Sequence, residues 1–159
     1  MNADEDLGRS WLETLEHQRR LSRHTLENYS RALGLLFQLK EKTGLRDVES
    51  QQVRRFVAQL HARGLSGRTL ALTLSAWRGF FHWLARHRGF AANPAQGVRA
   101  PKSPRRLPKA LSVEQVQQLL DVRDAPEAGD PALLRDRAMF ELLYSSGLRL
   151  GEIVALDAG

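Results

Sequence analysis

The chain has 159 residues, 42% of them apolar, with no cysteine and a formal net charge of +6. That length holds one ordinary hydrophobic core or two small ones, and the apolar share is that of a globular protein. Lack of cysteine excludes disulfide scaffolds, thiolate metal sites and cysteine nucleophiles, while an acidic start and no uncharged run of membrane-spanning length give the expectation of a soluble, cytoplasmic protein.

Taken in order, residues 6–20 predict an amphipathic helix with Leu7, Trp11, Leu12 and Leu15 on its apolar face. Ser22 is the expected N-cap of a second helix, in which Leu26, Tyr29, Leu33, Leu36 and Phe37 form the stripe and Gly44 the end. A third helix is expected from Ser50 to Arg63, with Val53, Phe56, Val57 and Leu60 inward. A fourth follows Ser66 through Leu70, Leu74, Trp77, Phe81 and Leu84 to His87. No run alternates apolar and polar residues between hairpin turns, so the fold class is all-α, and the four helices with short loops read as a bundle. Asn93-Pro94 ends it. From Val98 to Lys109, three prolines among five positive charges predict an extended, stiff linker able to lie along a phosphate backbone. Ser112-Val-Glu-Gln115 is a capping box opening a fifth helix to Leu120, and a polar loop from Asp124 to Asp130 leads to a sixth, Pro131 to Ser145. Ser146-Gly147 then turns the chain into a further helix start carrying Arg149 and Glu152. The expected organisation is a helical domain over 1–98, a linker over 99–111 and the start of a second domain over 112–159.

Charge is distributed unevenly. The carboxylates stop at Glu49 and resume at Glu114, and the 64 residues between hold 12 arginines and lysines. A solvated surface mixes both signs, so a block of one sign this long points to a polyanionic partner. A basic solubility face is the plain alternative. An anionic membrane surface is another, but no exposed apolar stripe accompanies the basic one.

Signatures of metal, nucleotide and hydrolytic chemistry are missing. There is no phosphate-binding loop, no dinucleotide fingerprint and no His-Glu-x-x-His, and His17, His24, His61, His82 and His87 have no ligand partners at metal spacing. Two polar helix faces remain: Arg23, Thr25, Asn28 and Arg31 on the second helix, and Arg68, Thr69, Ser75 and Arg78 on the fourth. Arginine and asparagine can read base edges while serine, threonine and N-terminal amides hold phosphates, so the pair could clamp a duplex in its major groove. For any one of these residues a solvated helix face explains as much; the acid-free surroundings favour the set. Arg149 and Glu152 by themselves describe an exposed pair three apart.

Three motifs belong together: Leu21-Ser22-x-x-Thr25-x-x-x-Tyr29; Asn93-Pro94-Ala-x-Gly97-Val98-x-Ala-Pro101-Lys102-x-Pro104-x-x-Leu107-Pro108-Lys109; and Arg135-Asp136-Arg137-Ala138-Met139 followed by Gly147-Leu148-Arg149-Leu150-x-Glu152. In combination they resemble the bacterial tyrosine recombinases of the phage integrase family, XerC/XerD type, with the linker closer to XerC. The resemblance implies a four-helix, SAM-like core-binding domain and a catalytic domain closing as a clamp on double-stranded DNA; from the charge of the linker, Lys102, Arg105 and Arg106 are expected beside the phosphate backbone. It implies cleavage through a 3′-phosphotyrosine without ATP, metal or other cofactor. Arg149 matches a phosphate-stabilising arginine of that chemistry, and Glu152 an acidic position one turn later that would orient a basic partner. It also implies a XerD-like partner recombinase and a DNA translocase, acting in chromosome dimer resolution.

The family's lysine hairpin, His-x-x-Arg segment and nucleophilic tyrosine would lie beyond Gly159, so the sequence reads as a fragment that binds DNA without cleaving it. A stand-alone DNA-binding or regulatory module is the rival reading. Apolar faces over 112–159, including Leu119, Leu120, Met139, Leu142, Leu143, Ile153, Val154 and Leu156, are expected to pack on the first domain, to pair with a second copy as a homo-oligomer, or to stay disordered.

Overall fold

The computed structural model describes residues 3–102, 110–120 and 131–156, the side chains of Leu119 and Leu120 excepted. Among these the regular structure is helical, and the chain divides into two compact units, residues 1–105 and 106–159.

The first unit holds α1 (Ala3–Arg19), α2 (Arg23–Lys40), a short 3-10 turn (Leu45–Asp47), α3 (Ser50–Ala62) and α4 (Gly67–Arg88). Helix α1 starts ahead of its apolar stripe because Asp4, Glu5 and Asp6 occupy its first turn, where the positive end of the helix dipole favours carboxylates. Asp4 also reaches across to Lys40, whose ammonium lies 2.6 Å from the Asp4 carboxylate with only 4% of the side chain exposed. Lys40 donates in addition to the Thr43 carbonyl at 2.9 Å. That buried contact fixes the end of α2. The helix stops at Lys40, with Glu41 at φ +48°, rather than at Gly44, which instead precedes the 3-10 turn.

Helix α2 opens at Ser22 as expected, the Ser22 hydroxyl accepting from the Thr25 amide. Helix α4 opens the same way at Ser66. The inward residues of α3 and α4 are those of the sequence stripe, and burial adds Thr73, Ala76 and Phe80 on α4. Trp77 is fully buried and donates its indole N–H to the Ala32 carbonyl on α2 at 2.7 Å. Around it Phe56 meets Trp77 edge-on at 6.4 Å, and Trp11 stacks on Tyr29 at 5.6 Å while touching Phe80 at 5.5 Å. Such offset and edge-on pairs add to the burial of the rings themselves. At the far end Arg46 donates to the carbonyls of Arg88 and Gly89 at 2.9 and 3.1 Å and lies over the Phe90 ring, which closes the carboxyl end of α4.

Residues 93–100 remain on the bundle, with Pro94, Ala95 and Val98 buried and Ala100 packed against the core. The expected linker contacts Arg105 and Arg106, the rest of 103–109, and the loop from Asp124 to Asp130 lie outside the described residues.

The second unit holds α5 (Val113–Leu120), α6 (Pro131–Ser146) and α7 (Leu150–Val154). The Ser112–Gln115 capping box is formed in both directions, at 2.9 and 3.3 Å. Ile153 is its one buried hydrophobic side chain among the described residues. Met139 and Leu143 are half-buried, while Leu142, Val154 and Leu156 are exposed, as are Leu133, Leu134, Phe140 and Leu150.

Candidate nucleic-acid interface

The interface is built on the start of two helices. The pattern Leu-Ser-x-x-Thr-Leu occurs at 21–26 and again at 65–70, and the two copies form the same cap. In each, the serine hydroxyl sits beside the threonine hydroxyl, at 3.0 Å for Ser22 and Thr25 and 2.9 Å for Ser66 and Thr69. The sequence shows this repetition only once the two caps are seen to be equivalent. Each cap leaves an arginine within the first turn, Arg23 on α2 and Arg68 on α4, and both are exposed.

Thr25 and Asn28 are half-buried; Arg31 points outward and its guanidinium lies 3.5 Å from the Asn28 side-chain oxygen. Arg23 donates to the Glu27 carboxylate at 3.1 Å, yet 94% of the arginine side chain stays exposed, so the pair is a surface one of small value. On α4, Arg68, Thr69 and Ser75 are exposed, and Leu72 lies among them at 41% exposure. Lys102 is exposed beyond the last bundle contact. Arg78 differs from the other predicted contacts. It is half-buried, and its guanidinium donates to the Val98 carbonyl at 3.1 Å.

Electrostatically, the decisive observation is a lack of compensation. The ion pairs among the described residues involve Arg9, Arg23, Lys40, Arg135, Arg137 and Arg149, and none involves an arginine between Glu49 and Glu114. Arg54, Arg55, Arg63, Arg68 and Arg86 therefore carry exposed charges with no ion-pair partner among the described residues. Sequence reading leaves those on α3 and at the end of α4 unassigned. Such a field attracts polyanions over the range of a Debye length, about 10 Å at moderate salt.

The site at Arg149 is local. Gly147, at φ +64°, makes the left-handed turn that ends α6, and its amide bonds the Leu143 carbonyl at 3.1 Å. Arg149 then stands at the N-cap of α7 in extended conformation. Glu152 accepts from the Arg149 amide at 2.8 Å and from its guanidinium at 3.2 Å. An arginine side chain has no acceptor, so only this half of a capping box is chemically possible. Glu152 thus holds both the backbone and the head group of Arg149, while 87% of the arginine side chain remains exposed. Tyr144, on α6, is 68% exposed, and Tyr29 is stacked in the first unit.

Residues 9–88 match the family described as "Phage integrase, N-terminal SAM-like domain", and the chain belongs to it. Curated relatives extend the likeness beyond that domain. The chain is 50% identical over 153 residues to "Tyrosine recombinase XerC 1" of Ralstonia nicotianae, covering 93% of this chain and 46% of the relative. It is 46% identical to "Tyrosine recombinase XerC" of Pseudomonas aeruginosa across 99% of this chain and 51% of the relative. The protein of that name from Salmonella typhi is 45% identical, over 92% and 49%. The chain spans about half the length of the curated relatives it matches.

Proposed function

We propose that this chain is the DNA-binding part, together with the first helices of the catalytic part, of a XerC-like tyrosine recombinase. The observation that carries the reading is the carboxylate-free stretch of the bundle, whose exposed arginines have no ion-pair partner among the described residues. The capped starts of α2 and α4 offer Arg23, Thr25, Asn28, Arg31, Arg68, Thr69 and Ser75 to duplex DNA, and Lys102 follows the backbone from the linker.

In the recombination reaction Arg149 would hold two non-bridging oxygens of the phosphate under attack, which suits the fork of a guanidinium. Glu152 keeps that fork presented and moves no proton. The polypeptide of 159 residues binds without cleaving. Its two tyrosines are Tyr29, stacked on Trp11, and Tyr144, which lies ahead of Arg149 on α6, where the family has no nucleophile. The parent enzyme acts in the cytoplasm with a XerD-like partner and a DNA translocase. The exposed apolar side chains of α6 and α7 are the surface on which further protein, including a second copy, would pack.

A stand-alone regulatory module is the weaker reading, because likeness to the recombinases runs through Arg149 as well as through the bundle. Titration of the chain against duplex DNA at several salt concentrations tests the binding. Affinity should fall with a log–log slope of about −0.9 per phosphate contacted. A flat response would refute it, and a covalent adduct on a nicked suicide substrate would refute the inactivity.

A further inference from the structure

By sequence the last helix of the bundle ends before Asn93-Pro94 and the linker spans 99–111; a bracket holds the residues between them on α4. The Asn93 side chain spans two backbone positions: its Nδ2 donates to the Arg78 carbonyl at 2.9 Å, and its Oδ1 accepts from the Ala95 amide at 3.1 Å. From the same residue of α4, the Arg78 guanidinium reaches the Val98 carbonyl at 3.1 Å. Arg78 therefore grips both ends of the turn, one with its carbonyl and the other with its side chain. Between them Ala95 is 0% and Val98 4% exposed. Among the arginines of α4, Arg68, Arg86 and Arg88 are exposed while Arg78 is half-buried.

We propose that Arg78 is a positioning residue: with Asn93 it holds residues 93–98 on α4 and so fixes where and in what direction the chain leaves the bundle. Turning the guanidinium outward to a phosphate would strand the buried Val98 carbonyl, which has no other donor described, and release the turn. Only the DNA arm of the test rests on the proposed DNA binding.

The chain has no cysteine, so nitroxides can be placed at Gln59→Cys and Arg99→Cys, both exposed, without background. The expected result is one narrow distance distribution, broadened in Arg78→Ala and in Asn93→Ala. Arg78→Lys, which keeps a donor of similar reach, should narrow it again in part. Amide exchange at Ala95 and Val98 should rise at least tenfold in both loosening variants, with exchange in α2 unchanged. In the DNA titration Arg78→Ala should keep the wild-type salt slope, while Arg68→Ala loses about 0.9 from it. An unchanged distance distribution and unchanged exchange in Arg78→Ala would overturn the proposal, as would a slope reduced by about 0.9. Should Arg78→Ala not fold, Asn93→Ala decides, since it removes one neutral amide. If the chain binds no DNA at any salt, the functional reading fails, and distances and exchange still decide the bracket.

Discussion

Trp77 connects the stability of the bundle to the spacing of its two polar faces, and Trp77→Phe tests that connection. The indole is fully buried and bonds the Ala32 carbonyl at 2.7 Å, so it fixes α4 against α2 at the point where they pack. Phenylalanine keeps the six-membered ring and leaves a void of roughly 40 Å³, which at about 24 cal/mol per Å³ costs about 1 kcal/mol. The lost hydrogen bond adds about 1 kcal/mol, and the lost apolar contact somewhat less, for a total of about 2–3 kcal/mol. For a bundle of this size that corresponds to a midpoint lower by about 10–20 °C. Because the chain has two compact units, the assay is hydrogen exchange of the slowest α2 and α4 amides, which reads the first unit alone. A tryptophan analogue with sulfur in place of the indole N–H fills the void and should recover all but about 1 kcal/mol. A loss below about 0.5 kcal/mol in Trp77→Phe would refute the assignment of α2–α4 geometry to this contact.

Three further outcomes are expected. Asp4→Ala leaves the Lys40 ammonium buried without its carboxylate and should cost about 2–4 kcal/mol, discounted for the partial exposure of Asp4, whereas the double variant with Lys40→Met should return to within about 1 kcal/mol of wild type; a double-mutant coupling near zero would contradict the ion pair. The Ser112 hydroxyl, and after it the Glu114 backbone N–H, hold the Glu114 carboxyl below the usual carboxylate range. Since the folded value is the lower one, the stabilisation of α5 is present above the unfolded value and is lost as the pH falls through the folded one. Ser112→Ala should move the Glu114 midpoint up in a carboxyl NMR titration, and an unmoved midpoint would dismiss the contact. Glu152→Ala should weaken protection of the Ile153 amide by about 0.5–1 kcal/mol and leave the bundle untouched; equal protection would remove Glu152 as the support of Arg149.

Much of this fold is legible in the sequence because helices advertise themselves locally. The stripe Val53, Phe56, Val57 and Leu60 lies inward as its spacing requires, and Ser22, Ser66 and Ser112 cap the helices that follow them. The end of α2 is not legible, since a lysine on a stripe looks like a surface residue until Asp4, far away in sequence, is brought to it. Arg149 and Glu152 are found three apart and on one helix start, and what the structure adds is the direction of support, from carboxylate to arginine.

The charge pattern, the helix periods and the caps were thus determined by the sequence alone, because each depends on neighbours within a turn or on composition. Tertiary structure decided which basic residues are free. Arg68 and Arg78 stand on the same helix in similar surroundings of sequence, yet one is exposed and the other is bonded to Val98, twenty residues on. No local pattern encodes that difference, because it arises only when residues 93–98 fold back onto α4 and bring the Val98 carbonyl to the Arg78 guanidinium.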